Sequence, residues 1–236
     1  MTKKYSSFST CGKRRNRTRI KYSENQRIGL CIYFRKSNKV LFLKKRKLHA
    51  ISPTKLEIPS GKKESIDRDI KDAMIREARE ELLVDIDKIR LGDSYLVVPD
   101  IHIFNKYWNN ILKKKNISYL KYYTREQTKA SEFTIGCIAV DSDIPSEKIR
   151  NIHNEIYKTL STFIFGGDTL LENYLEYKNW NPCIKHRHKH NELWKYLEAT
   201  QVEYISLDTI PTNEHLNFKT FWKRGIIYLQ SNLTDR

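Results

Sequence analysis

Two hydrophobic periods alternate along this chain of 236 residues. Residues 27–34 (RIGLCIYF) and 39–43 (KVLFL) are rich in aliphatic, β-branched and aromatic side chains, and Arg35-Lys36-Ser37-Asn38 between them is polar. That pairing predicts a β-hairpin. A short extended run at 55–58 leads into the turn Pro59-Ser60-Gly61. From 69 to 83 the period changes, and Ile70, Ala73, Met74, Ala78 and Leu82 recur at helical spacing. Further strands are expected at 96–98, 119–123, 133–140 and 202–207. Phe218, Phe221, Trp222, Ile226 and Leu229 give residues 215–233 the apolar stripe of a C-terminal helix. Between Val140 and Val202 lie roughly 60 residues, longer than an ordinary connection. They carry helical patterns at 146–160 and 192–198 and the aromatics Tyr157, Phe163, Phe165, Tyr174, Tyr177 and Trp180. We read 141–200 as an inserted helical segment covering one side of the site. Strands mixed with helices make the chain α/β, and no internal repeat is visible.

The polar face of the 69–83 helix carries the chemistry. Positions i, i+3 and i+4 share a face, so Glu77, Glu80 and Glu81 stand together, and their mutual repulsion weakens the helix by a few tenths of a kcal/mol per pair. A hard divalent cation such as Mg2+, which prefers carboxylate oxygen and water, relieves that repulsion and uses it. Such ions are the usual partners of phosphate substrates.

Residues 61–84 resemble the Nudix box, G-x5-E-x7-R-E-U-x-E-E-x-G-U with U aliphatic. Gly61, Arg76, Glu77, Glu80, Glu81 and Val84 fit it, with Ala78 as the small apolar residue. There are three departures. The step from Gly61 to Arg76 is one residue longer than the pattern. The early glutamate is represented by Asp67 or Glu64, and the late glycine by Leu83, which lacks the glycine's ease in a left-handed helix cap. The longer spacing and the Ile-Pro-x-Gly-Lys approach are similar to baculovirus Nudix enzymes, and poxvirus and asfarvirus mRNA-decapping enzymes share features with it. The resemblance implies an α/β/α sandwich with a mixed sheet. It also implies metal ligation by Glu77, Glu80 and Glu81 with Mg2+ or Mn2+, the Ser60 carbonyl completing the shell. Arg76 matches the arginine that orients the glutamates. A further carboxylate ahead of a late strand serves the family as ligand or base; by its offset from Tyr204 this is Glu198, with Glu192 second.

Composition adds charge. The formal net charge is +16 with 39% hydrophobic and 11% aromatic residues, which suits one large domain with a polyanionic partner, nucleic acid above all. Lysines are spread along the whole chain, so a lysine-rich composition is the competing explanation. Residues 1–25 hold eight Lys/Arg against Glu24 and read as a disordered basic arm ahead of a domain spanning 26–236. No run of 18 apolar residues suggests a membrane helix, and no apolar stretch makes the basic N-terminus a secretory signal. Cys11, Cys31, Cys137 and Cys183 are widely spaced and read as reduced thiols. The expected compartment is intracellular, the host cytoplasm, with the nucleus open.

His186, His188 and His190 alternate with Arg and Lys, but no fourth ligand completes a zinc spacing, so they read as a basic loop. Gly166-Gly167-Asp168 lacks the lysine and helix of a phosphate loop. The leading function is therefore metal-dependent hydrolysis of a diphosphate linkage in capped RNA, releasing m7GDP. The alternatives are a pyrophosphatase for ADP-ribose or another nucleoside diphosphate derivative, and an inactive Nudix-fold RNA-binding protein.

Overall fold

Strand β1 (Arg27–Phe34) is buried on both sides, which is why its sequence runs apolar without a polar alternation. Ile28, Leu30, Ile32 and Phe34 face one way, Cys31 and Tyr33 the other. In the computed structural model, which describes residues 26–45, 56–86, 90–91, 94–95, 97–113, 117–126, 129–165, 195–197 and 199–210, β1 is the spine of a seven-stranded sheet. It runs parallel to β8 (Lys129–Val140), in register from Arg27↔Phe133 to Phe34↔Val140. It turns antiparallel into β2 (Lys39–Lys45) through Asn38, whose φ of 50° suits an asparagine. The path is β3-β2-β1-β8-β7, with β3 (Leu56–Glu57) and β7 (Ser118–Glu126) at its ends. β4 (Ser60–Lys62) joins β1, and β9 (Ala199–Ser206) joins β2. β5 (Arg90–Leu91) and β6 (Ser94–Tyr95) form a separate pair. One parallel pairing among antiparallel ones makes the sheet mixed.

Three helices share one apolar cluster with the Ile28 face: α1 (Ile70–Glu81), α2 (Ile101–Leu112) and α3 (Glu147–Phe165). Gly136 makes room for α1, since a Cβ there would lie 2.5 Å from the Met74 sulfur. On the other face Cys31, Tyr33, Val40, Phe42, Ile135 and Cys137 pack with Leu207 and Ile210. The fold is thus α/β with both faces of the sheet covered. The expected helix at 215–233 and the arm at 1–25 lie outside the described residues. None of the described helices is long and apolar enough to cross a membrane.

Several elements differ from the sequence reading, the short strands β4 and β5 among them. Helix α2 was not anticipated, although Phe104, Trp108, Ile111 and Leu112 sit at helical spacing and are buried. The strand expected at 96–98 falls instead at Ser94–Tyr95, and Val97 and Val98 lie beyond it. Pro99, which cannot donate to a ladder, and Asp100, with φ 58°, turn the chain there into α2. Within 141–200, α3 contributes Ile149, Ile152, Ile156 and Leu160 to the same cluster as α1. Of the helical pattern read at 192–198, residues 195–197 are described and form a 3-10 turn.

Helix α1 starts on Asp69, whose side chain accepts the Asp72 N–H at 2.8 Å. It ends in a Schellman turn: Val84 N–H donates to Arg79 C=O (2.8 Å) and Leu83 N–H to Glu80 C=O (3.3 Å). Such a turn wants glycine at its left-handed position, and here Leu83 takes it with φ 59°. A leucine in that conformation costs about 1–2 kcal/mol, offset by full burial of its side chain, worth roughly 1.5–3 kcal/mol. An unusual ordering is therefore expected. Leu83→Ala keeps the strained Cβ and loses the packing, for a cost of about 2–5 kcal/mol. Leu83→Gly loses the packing and is freed of the strain, so it should be the less damaging by about 1 kcal/mol. Urea denaturation of the two variants checks this; a glycine variant less stable than the alanine variant would contradict it.

Candidate active site

Along its length β1 changes partner on one edge, from β4 at Arg27–Gly29 to β2 at Tyr33–Phe34. At that fork Leu30 N–H donates to Pro59 C=O at 2.8 Å, which presents Ser60, Gly61 and Lys62 to the side of α1. Glu81 reaches this segment from the buried side, being 2% exposed, and accepts Ser60 N–H at 3.2 Å. Glu77 accepts Lys62 N–H at 3.3 Å. Gly61 lies between them, and a Cβ there would sit 2.1 Å from the Glu77 carboxylate. An added Cβ would push the Glu77 carboxylate aside, and glycine leaves it against the strand.

Arg76 ties the acidic groups together. Its guanidinium meets Asp67 at 2.9 and 3.1 Å, Glu77 at 3.0 Å and Glu80 at 3.4 Å, and donates to the Lys62 carbonyl at 2.8 Å. Of the two residues offered for the early acidic position, Asp67 makes the two-pronged contact, its side chain 3% exposed. Glu64 is 3.9 Å away and largely in solvent, though its N–H donates to Asp67 at 2.7 Å. The extra residue of the motif is thus taken up between Asp67 and Arg76, where Asp69 caps α1. Burial works to lower the Arg76 pKa, and the hydrogen bond to Asp67 with the charges of Glu77 and Glu80 more than offsets it, so the guanidinium is held firmly charged.

As the side chains stand, the three glutamates do not meet at one point. Glu77 and Glu81 turn to the backbone either side of Gly61, and Arg76 draws on Glu77 and Glu80. Among the described residues no group of three or more His, Cys, Asp or Glu is arranged to hold a metal ion. The donor set nonetheless fits a hard cation in kind: oxygen-only ligands, two of them about an eighth exposed, confined to one helical turn. Beside Glu80 a cleft of about 400 Å³ runs along α1, its walls including Ile66, Ile75, Arg79, Val84 and Tyr196. The sequence reading missed Tyr196. Glu198, Glu192 and the histidines at 186, 188 and 190 lie outside the described residues. The chain neighbours of Glu198, Leu197 and Ala199, are buried in the cluster that α1 shares.

No protein-family model matches the chain, and no curated protein does. Solved structures do resemble it. A MutT protein from Methanosarcina mazei matches over 88% of this chain and 94% of its own, at 12% identity and a TM-score of 0.42. A C. elegans Ap4A hydrolase matches over 90% and 99%, at 10% and 0.44. A NUDIX hydrolase from Nitrosomonas europaea matches over 87% and 89%, at 13% and 0.39. Likenesses this loose carry no argument about activity, which must come from the residues.

The Asp67–Arg76 pair yields a pH test. Burial raises the Asp67 pKa, and the Arg76 hydrogen bond and the Glu64 N–H outweigh it, leaving the group below its ordinary 3.8. A depressed carboxylate stabilises the fold above its unfolded pKa, and that contribution is lost as pH falls through the folded value. Asp67→Asn is expected to cost about 2 kcal/mol at neutral pH, as for a hydrogen bond to a charged partner. The gap from wild type should narrow below about pH 4. Denaturation at several pH values measures it, and a gap that stays constant into strong acid would contradict the assignment.

Proposed function

We propose that this chain is a metal-dependent Nudix hydrolase that cleaves a diphosphate linkage, with capped RNA as its substrate. The observation that carries this reading is the acidic cluster of α1: Glu77 and Glu80 paired with the Arg76 guanidinium, Glu81 held by the Ser60 N–H, and a strand whose Gly61 lets the Glu77 carboxylate lie against it. Glu77, Glu80 and Glu81 would hold Mg2+ or Mn2+, with the Ser60 carbonyl and Glu198 as further donors. A bound divalent ion supplies Lewis-acid polarisation of a phosphoryl oxygen and an acidified water. Arg76 offsets the repulsion among the free carboxylates and fixes the helix face they share. The cleft along α1 offers a volume in the range of small-ligand sites. Capped RNA is favoured over a free nucleotide by the net charge of +16 and the basic residues at 1–25. A phosphate backbone gains from both and a small diphosphate needs neither.

Incubation with cap-labelled RNA and, separately, ADP-ribose, each with Mg2+ and Mn2+, tests the proposal. Release of m7GDP supports it; hydrolysis of ADP-ribose alone transfers the reading to a nucleoside diphosphate pyrophosphatase. Glu81→Gln and Gly61→Ala should each lower turnover at least about 100-fold, one by removing a ligand's charge and the other by displacing Glu77. Retained turnover in Glu81→Gln would overturn the site. Glu198→Gln and Glu192→Gln, compared in the same assay, assign the further carboxylate by which one loses kcat.

Removing residues 1–25 separates RNA binding from catalysis. Each phosphate contact on a single strand contributes about −0.7 to the slope of log affinity against log salt. The truncated chain should show a shallower slope and a higher KM for long capped RNA, with ADP-ribose or dinucleotide hydrolysis unchanged. Identical slopes would place any RNA contact on core lysines such as Lys44.

A further inference from the structure

The residue between Ala78 and Glu80 is left open by the Nudix pattern, yet in this chain Arg79 is built into a closed polar triangle. Its guanidinium pairs with Asp85 and donates to Asn109 Oδ1 at 2.7 Å. The Asn109 amide donates to Asp85 Oδ1 at 3.3 Å. Asp85 N–H in turn donates to Asn105 Oδ1 at 2.9 Å, and Asn105 is buried. The triangle bolts the end of α1 to α2. Asp85 has φ 60° and Leu83 φ 59°, so two non-glycine residues are held left-handed within four positions of Glu81.

We infer that Arg79, through Asp85 and Asn109, is a positioning residue that holds Glu80 and Glu81 in place; this rests on the function proposed above. The link is direct. The cap bonds end on the carbonyls of Arg79 and Glu80, so the peptide groups that support the strained turn are the two that lead into Glu80 and Glu81. If the turn relaxes, the last turn of α1 frays first, and that turn carries Glu80, Glu81 and the Glu81 contact to Ser60 N–H. A planar fork is needed, because one group must meet a carboxylate and an amide oxygen together, and a lysine ammonium lacks that geometry. The glycine that would make this turn without help is absent, and the triangle stands in for it.

The test uses Arg79→Met and, as a variant that keeps shape and size, Asp85→Asn. Three readouts are taken: amide exchange at Ser60 and Val84, the Mn2+ dissociation constant, and kcat with KM on the substrate that wild type hydrolyses. Faster exchange at Ser60 and Val84 is expected in both variants. The Mn2+ constant should rise and kcat fall by about 10-fold or more, as for loss of a partner that orients ligands, with KM within about twofold. Unchanged Ser60 exchange in a folded variant overturns the inference whatever the activity. Lower melting temperature with wild-type kcat and Mn2+ affinity also overturns it, reducing the triangle to a structural clamp. Absence of any hydrolysis by wild type instead defeats the proposed function, and the exchange data still judge the triangle.

Discussion

Everything in the candidate site depends on one guanidinium set among four carboxylates. Three glutamates on adjacent turns repel one another, and Glu81 is nearly out of solvent, where an uncompensated charge is costly. Arg76 supplies the compensation for Glu77 and Glu80 directly, and it uses Asp67 and the Lys62 carbonyl to fix its own plane. Glu81 is answered separately, by the Ser60 N–H. The site is therefore held at two points, one electrostatic and one through backbone. Both bring β4 against α1, and at the first of them the missing side chain of Gly61 leaves room for the Glu77 carboxylate.

That requirement reaches back into the sheet. β1 can release β4 on one edge and accept β2 further along because its other edge is fully engaged by parallel β8 over eight paired positions. A spine with both faces buried and one edge locked gives the fork a fixed place. The helix layer behind it is equally constrained: Ala73 and Ala78 bring α1 close to the strands, and Gly136 opens the groove that Met74 fills.

The parts legible in the sequence were those in which a local rule and the tertiary environment agree. The hairpin of β1 and β2, the α1 helix and the acidic cluster carry period, turn residues and charge that point one way. Helix α2 was missed because its start breaks the usual signals. Asp100 at its cap pairs with Lys148 instead of making a side-chain capping bond and sits left-handed, and its body holds Asn105, Tyr107, Trp108, Asn109 and Asn110, all weak helix formers. Burial of Phe104 and Trp108 in the cluster that α2 shares with α1 and α3 overrides that weakness. The choice between Asp67 and Glu64 was also invisible, since chain spacing allows either, and only the packing that buries Asp67 decides it.

The late position of the motif shows how a departure from a pattern can be informative. A glycine there would make the end of α1 conformationally free, and the carboxylates before it would depend on the helix alone. With Leu83, the same backbone shape is imposed by burial from below and by Arg79, Asp85 and Asn109 from above. Strain is kept only where surrounding structure over-determines it, and here two independent supports converge on one turn. The chain has thereby exchanged a permissive residue for a network that reaches to a second helix. Through it the geometry of the acidic turn becomes dependent on where α2 lies. α2 in turn packs on α3, where Phe104 stacks on the buried, neutral His153 at 6.1 Å. Placement of the carboxylates is thus a property of the whole helical layer rather than of the motif that announces it.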